Sequence, residues 1–256
     1  MQAEELGIAV RAGLRRNTLL AGLPAELARW LGRRAEPVLL PAGAVLAVAG
    51  QPVRNAWFPV NCVLSLLHAD GDGSTLQVGL VGREGVFGFG AVLGGRHLAG
   101  ATVLVAGPAL RVPGDRMREC FEQEPAFREM LLRYCNQLIS LGWQAAVCNR
   151  HHPPERQIAK LLLLVLDRIP LTELHLTHDH IARLFGLRRE TISQAAQRIQ
   201  EKGYIRYSRG HIRVLDPGGL EQLACSCYAR MRPVFAPAEE VAGGPVGQPS
   251  VPAPSD

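Results

Sequence analysis

The chain has 256 residues, 47% of them hydrophobic and 20% charged, which suits one large or two modest domains with a sizeable core. The formal net charge is +5, and residues 151–215 hold almost twice as many basic as acidic side chains, a balance that favours a polyanionic partner such as nucleic acid. Two acids among the first six residues are unlike a secretory signal, and no apolar run approaches the ~18 residues of a membrane span. These features are not those of a secreted or membrane-spanning protein, and we expect a cytoplasmic protein with no membrane partner.

The chain divides into five segments by composition. Residues 1–34 are predicted to be helical, and residues 35–113 carry short apolar runs separated by glycines, which predicts an antiparallel β-roll of jelly-roll type. Residues 114–150 have the helical period of one long amphipathic helix, of a kind that often pairs with its symmetry mate. Residues 151–232 predict a helical domain with a β-hairpin, and residues 233–256, rich in Pro, Gly and Ala, predict a disordered tail. The predicted fold class is therefore α+β.

Local signals refine this division. Asp70-Gly71-Asp72-Gly73 predicts a hairpin turn in the roll, and His151-His152-Pro153-Pro154 predicts a hinge after the long helix. The apolar stripe of that helix, which the roll alone could not fully cover, consists of Met117, Phe121, Phe127, Met130, Leu131, Tyr134, Leu138, Leu141 and Ala145.

Residues 176–194 predict two short helices joined by a glycine turn, an arrangement that places the second helix in the major groove of DNA. Thr177 is the predicted N-cap of the first helix, and Gly186 is predicted to take the positive-φ turn. The second helix has an apolar face that packs inward, so its opposite face is available to base edges. The predicted base-reading residues on that face are Arg189, Glu190, Ser193 and Gln194.

Other residues are candidates for contacts with DNA phosphates, either through a helix N-terminus or through positive charge. A basic hairpin, or wing, is predicted at residues 204–215 and supplies part of this set. The phosphate candidates are Thr177, Arg188, Arg198, Lys202, Arg209 and His211.

Residues 176–215 resemble the winged helix-turn-helix of the Crp/Fnr family of bacterial transcription regulators, chiefly through the string Gly-Leu-Arg-Arg-Glu-Thr-Ile-Ser that begins at Gly186. The roll and the long helix resemble the cyclic-nucleotide-binding-like effector domain and the dimerisation helix of that family. The resemblance implies base reading by Arg189 and Glu190. The family's recognition helix typically has a second arginine after three intervening residues, where this chain has Gln194, which can read adenine N6/N7. We therefore expect a different half-site preference at that position.

The stretch 85–101 departs from the phosphate-binding cassette of family members that bind cyclic AMP. Those members resemble one another in an acid shortly after a Phe-Gly pair, which caps the ribose, and in an arginine that pairs with the cyclic phosphate. Here no acid follows Phe87-Gly88, and Ala99 stands where the arginine is expected, with Arg96 close by as a candidate substitute. Because both anchors are missing, we expect no control by cyclic AMP. The effector-pocket candidates are Phe87, Gly88 and Arg96.

No cofactor or metal site is expected. None of the six cysteines forms a Cys-x-x-Cys pair, and the first one, Cys62, lies far from the N-terminal cysteine run that holds an iron–sulfur cluster in oxygen-sensing members. The histidines that haem could use, such as His68 and His97, are typical of loop or surface positions. Cys225 and Cys227 form the only close pair, interpreted as small buried apolar side chains, with a redox role left open.

The sequence lacks a nucleophile elbow, a P-loop and a His/Glu cluster with metal-ligand spacing, so we expect no enzyme. It predicts instead a homodimeric regulator that binds palindromic double-stranded DNA, with RNA polymerase as a further partner. The alternative is a ligand-sensing or protein-interaction module whose helical domain contacts protein. The effector and the sign of regulation are not specified by the sequence.

Overall fold

The computed structural model describes residues 3–69, 71 and 75–232, with side chains from residue 9 onward. The predicted disordered tail at 233–256 and most of the predicted turn at 70–73 lie outside these residues. Within the described part of the chain, no helix is both long and apolar enough to cross a membrane.

Three helices replace the single helical segment predicted before the roll. They are α1 (Ala3–Arg16), α2 (Thr18–Ala21) and α3 (Ala25–Gly32). The first break lies at Asn17, whose side-chain oxygen accepts the Leu20 N–H at 3.1 Å and caps α2. The second lies at Pro24, the N-cap of α3, whose nitrogen cannot donate a helical hydrogen bond.

Seven antiparallel strands form the predicted roll. They are β1 (Glu36–Leu40), β2 (Val45–Ala47), β3 (Asn55–Pro59), β4 (Val63–Ala69), β5 (Thr75–Val81), β6 (Gly100–Val105) and β7 (Gly107–Pro113). One sheet has the order β1-β7-β3 and the other β2-β6-β4-β5. Leu64, Val103 and Ala109 belong to a core shared by the two sheets, while Phe58 and Leu110 pack with the N-terminal helices. The β4–β5 register runs to Ala69 opposite Thr75.

The predicted long helix is divided into α4 (Gly114–Gln123) and α5 (Pro125–His151). Glu124, which precedes Pro125, is extended (φ −114°, ψ 101°), because proline disfavours a helical conformation in the residue before it. Much of the predicted stripe on α5 is buried against the chain's own core, including Phe127, Leu131 and Tyr134. A different set of large apolar side chains on α5 is exposed: Leu132 (57%), Ile139 (51%), Trp143 (73%) and Val147 (50%).

The C-terminal unit comprises α6 (Pro154–Leu166), β8 (Glu173–His175), α7 (His178–Phe185), α8 (Arg189–Glu201), β9 (Ile205–Ser208), β10 (His211–Val214), α9 (Pro217–Leu223) and α10 (Ser226–Met231). Strand β8, which the sequence did not predict, joins the wing in a sheet of order β8-β10-β9. Helices α9 and α10 are separate because Ala224 and Cys225, which lie between them, have non-helical backbone conformations.

A buried ion pair connects the C-terminal unit to the roll. Arg168, just after α6, donates from Nε to Glu84 Oε1 at 2.9 Å, and the two side chains are 1% and 10% exposed. Arg168 also donates to the Leu164 carbonyl, and Glu84 accepts the Gly82 N–H. The Glu84 carboxylate is thus turned inward to a residue 84 positions away in the sequence.

Candidate nucleic-acid interface

Helices α7 and α8 are set against each other by a capped start and a glycine turn, as predicted. The Thr177 hydroxyl oxygen accepts the His180 N–H at 3.1 Å, and Gly186 ends α7 in the left-handed region with φ 62°. The inward face of α8 is fully buried, with Ile192 and Ile199 at 0% exposure. The opposite face of α8 is therefore presented to solvent.

The four predicted base-reading residues do not share one environment. Arg189, Glu190 and Gln194 are exposed. Ser193 is half-buried, and its hydroxyl lies 2.8 Å from Nδ1 of His178. Arg189 is 3.5 Å from Asp179 in an exposed ion pair, which costs little to open. In this conformation the side chains of Arg189, Glu190 and Gln194 are accessible to base edges, whereas Ser193 connects α8 to α7.

His178 is a positioning residue that the sequence reasoning did not identify. Its ring stacks on Tyr207 of β9 with centroids 4.0 Å apart and planes 17° apart, and its backbone N–H donates to the Tyr207 hydroxyl at 3.3 Å. Burial and the neighbouring Arg189 charge lower the pKa of His178. A neutral imidazole thus connects α7, α8 and the wing.

Two of the phosphate candidates are engaged by acids of the same chain. Arg198 forms an ion pair with Glu155 at the start of α6. His211 Nδ1 lies 3.4 Å from Glu173, whose carboxylate also accepts from Arg213 at 2.6 Å. The hydrogen bond and charge of Arg213 lower the pKa of Glu173. These acids partly neutralise the positive charge that Arg198 and His211 could offer to DNA.

The remaining phosphate candidates are more open. Arg188 precedes α8, Lys202 follows it, and Arg209 lies at the tip of the wing, all exposed. Arg209 (φ 49°) and Gly210 (φ 83°) form a two-residue turn, and Arg209 is the single non-glycine residue with positive φ in the described chain. A non-glycine residue in this region costs about 1–2 kcal/mol. Because this conformation is strained for arginine, we infer a functional role for the Arg209 side chain.

The effector-pocket candidates have distinct structural roles. Gly88 has φ 90°, and a Cβ there would lie 2.3 Å from the Asn55 carbonyl oxygen, so the position admits only glycine. Phe87 is buried, bonds through its backbone to Trp57, and stacks on His97 with centroids 4.9 Å apart. Exposed Arg96 donates to the Gly50 carbonyl at 2.8 Å.

An open cleft of about 290 Å³ lies beside Trp57 and His97. No carboxylate is among the described side chains that line it, which are Leu46, Ala47, Val48, Gln51, Pro52, Arg54, Asn55, Trp57 and His97. It is near the lower end of the roughly 300–1,000 Å³ typical of ligand pockets. This part of the roll therefore offers no acid for a ribose hydroxyl.

The structure also assembles a side-chain cluster that the sequence analysis missed. The ligand-type atoms of Cys148, His152, Cys225 and Cys227 all lie within 4.8 Å of one another. The four residues are not close in sequence, since 76 residues separate Cys148 from Cys225. The available signal was the spacing of Cys148 and His152, four residues apart at the end of α5, where His152 is the C-cap residue.

A roll of two antiparallel sheets, a long helix and a winged helix-turn-helix together have the architecture of a transcription regulator that binds DNA. Family comparisons agree. A Crp-like helix-turn-helix domain model matches residues 156–223, and a cyclic nucleotide-binding domain model matches residues 37–124. The chain belongs to the Crp/Fnr family of transcription regulators.

The chain is also similar to curated transcription regulators and to solved structures. The chain is 24% identical over 220 residues to a CRP-like cAMP-activated global transcriptional regulator of Mycobacterium tuberculosis, covering 82% of this chain and 98% of that protein. It is 27% identical over 198 residues to the transcriptional regulator SdrP of Thermus thermophilus, covering 74% and 94%. The solved structure of a CRP/FNR family regulator from Thermus thermophilus matches with TM-score 0.59 at 26% identity, covering 74% and 98%. FixK2 of Bradyrhizobium japonicum shares the fold, with TM-score 0.64 at 15% identity and coverage of 75% and 98%.

Proposed function

We propose that this regulator binds palindromic DNA as a homodimer whose two copies pair along α5. The observation that carries the proposal is the exposed apolar stripe on α5, formed by Leu132, Ile139, Trp143 and Val147. Its spacings of seven, four and four residues keep it on one side of the helix, as in a helix pair. Gly142, next to Trp143, has no atom within 4 Å of where a Cβ would lie, which leaves room for a second helix to approach.

Pairing along α5 gives the DNA-binding units a fixed separation. Two copies of α8 related by a twofold axis fit successive major grooves when their centres are about 34 Å apart. Arg189 suits guanine O6/N7, Glu190 suits cytosine N4, and Gln194 suits adenine N6/N7. Such a dimer acts in the cytoplasm, where promoters and RNA polymerase are its partners.

Selection of binding sites from random duplex DNA tests the proposal. We expect an enriched palindrome whose half-sites are one helical turn apart, and an affinity that falls steeply with salt because phosphate contacts supply much of the binding. Trp143→Glu places a charge in the stripe and should give a monomer by light scattering. The matched control is Arg133→Glu, on the same helix but in an exposed ion pair with Glu129. A monomeric wild type at micromolar concentration, or no enriched palindrome, would contradict the proposal.

We further propose that cyclic AMP does not control this protein, although the mycobacterial relative is named as cAMP-activated. The guanidinium of Arg96 is committed to the Gly50 carbonyl, Ala99 cannot bind a phosphate, and the nearby cleft has no described carboxylate. Calorimetric titration of the dimer with cyclic AMP should give no binding heat at millimolar nucleotide. Saturable binding would refute this point and leave the DNA proposal intact.

The alternative function is a helical domain that contacts protein instead of DNA. Replacing Arg189 and Glu190 by alanine separates the two, because both side chains are exposed and lie outside the packed face of α8. Loss of binding to the selected palindrome supports DNA reading. Unchanged binding would remove these two side chains from the base-reading set, and a wild type that binds no DNA would leave the alternative.

A further inference from the structure

We propose that Cys148, His152, Cys225 and Cys227 form a binding site for one Zn²⁺ ion, which joins the end of α5 to α10. Three of the four side chains are buried, with Cys148, Cys225 and Cys227 at 0%, 3% and 2% exposure. The three cysteines form a small cluster of their own, separate from the three hydrophobic cores. Three thiols and one imidazole are a ligand set typical of structural zinc.

Two of the six distances between ligand atoms match the edges of one tetrahedral site, and all six are within 4.8 Å. With Zn–S near 2.3 Å and Zn–N near 2.0–2.1 Å, the edges of the tetrahedron are about 3.8 Å between two sulfurs and about 3.6 Å between sulfur and nitrogen. The sulfurs of Cys148 and Cys225 are 3.6 Å apart, and the Cys227 sulfur is 3.5 Å from Nδ1 of His152. An iron–sulfur cluster binds its ligands through several iron atoms and needs them farther apart.

The surroundings provide both charge balance and orientation. A divalent ion with three thiolates and a neutral imidazole has a net charge of −1, and the Lys160 ammonium, 8% exposed, lies 2.9 Å from the Cys148 sulfur. Gln144 donates to the Cys227 sulfur at 2.9 Å, and Gln157 donates to the His152 carbonyl at 2.7 Å. A buried lysine and one amide donor directed at these sulfurs, with a second amide on the His152 backbone, fit an outer shell that stabilises thiolates.

The site lies at the joint between the two functional parts of the molecule. Cys148 follows Val147, the last residue of the exposed stripe on α5, while Cys225 and Cys227 belong to the start of α10 behind the wing. A bound ion would fix the DNA-binding unit relative to the paired helices. This consequence for DNA binding rests on the proposed homodimer, whereas metal binding itself does not.

Metal uptake is the first test. The reduced full chain, dialysed against Zn²⁺ and then against metal-free buffer, should retain one Zn²⁺ per chain by elemental analysis. Co²⁺ in its place should give the visible absorption of a tetrahedral thiolate site. Cys227→Ser and His152→Ala should each abolish stoichiometric retention. The matched controls Cys135→Ser, a half-buried cysteine elsewhere on α5, and His151→Ala, an exposed neighbour, should retain it. Gln144→Ala should weaken binding by roughly 10- to 100-fold.

Circular dichroism of each variant establishes that it is folded before its metal content is compared. No retention of Zn²⁺ by the folded, fully reduced wild type would overturn the proposal, as would equal retention in His152→Ala. A Cys148–Cys225 disulfide, with no metal uptake after complete reduction, would also overturn it and identify a thiol pair instead.

DNA affinity is the second test. Removing the ion from the wild type should weaken binding to the selected palindrome by roughly 5- to 150-fold, the usual range of coupling between sites. Unchanged affinity would overturn the coupling. The monomeric variant Trp143→Glu should still bind one Zn²⁺ per chain, so a failure of the dimer proposal is distinguishable from a failure of the metal site.

Discussion

Removing Arg168 should destabilise this protein more than removing any of its surface ion-pair arginines. In Arg168→Met the Glu84 carboxylate stays buried at 10% exposure and retains the Gly82 N–H as a donor, but it loses the guanidinium at 2.9 Å. Breaking a buried pair in this way costs about 3–5 kcal/mol, because one charge is left without compensation.

The control is Arg213→Met in the wing. Arg213 donates to Glu173 at 2.6 Å, so its geometry is at least as favourable, but the two side chains are 57% and 41% exposed. An exposed pair contributes about 0–1 kcal/mol. The difference in unfolding free energy between the two variants therefore measures the effect of burial separately from that of hydrogen-bond geometry.

Equilibrium urea unfolding at neutral pH measures both variants and the double variant Glu84→Gln with Arg168→Met. Because the double variant leaves no unpaired charge, it should be less destabilised than the sum of its single changes by about 1–3 kcal/mol. If Arg168→Met costs no more than Arg213→Met, or if the two changes at the Glu84–Arg168 pair are additive, the reasoning about the buried pair is refuted.

Three further predictions concern the DNA-binding unit. Because burial lowers the pKa of His178 from its ordinary value of 6.5, the folded state binds the proton less readily than the unfolded chain. Unfolding free energy should therefore fall as the pH drops below about 6.5, and His178→Phe should flatten that fall in denaturation at several pH values. Arg209→Asn suits the positive φ of the wing turn, so urea unfolding should show a gain of about 0.5–1 kcal/mol, while the logarithmic salt slope of DNA affinity becomes shallower by about 1. Gln194→Arg should shift the half-site preference at its position from adenine to guanine by about 1–3 kcal/mol in competition binding, and an unchanged preference would remove Gln194 from the base-reading set.

Local sequence signals predicted the parts of the fold that depend on interactions between residues close in sequence. The period of apolar residues predicted the inward face of α8, and the N-cap at Thr177 and the turn at Gly186 follow from hydrogen-bonding capacity and backbone freedom. The break in the long helix was also predictable from Pro125, because proline disfavours a helical conformation in the residue before it. The helical period of the apolar residues continues across this break, so periodicity alone predicts one unbroken helix.

The remaining errors involve partners distant in sequence. Periodicity identifies an apolar stripe but not which of several faces of α5 meets the chain's own core, so the exposed stripe at Leu132–Val147 was not separated from the buried one. The partner of Glu84 is 84 positions away, so no local pattern reveals it. Helix α8 alone likewise does not reveal that the Ser193 hydroxyl lies beside the ring of His178.

Two polar contacts attach the DNA-binding unit to different parts of the molecule, beside the apolar core that it shares with the roll and α5. The Glu84–Arg168 pair ties the end of α6 to the roll, while the cysteine and histidine cluster places α10 against the end of α5. Because α6 and α10 pack together in one core, both attachments act on the same packed unit. An effector acting on the roll and an ion bound at the cluster would then bias one orientation of α8, and their effects on DNA affinity should be coupled, not additive.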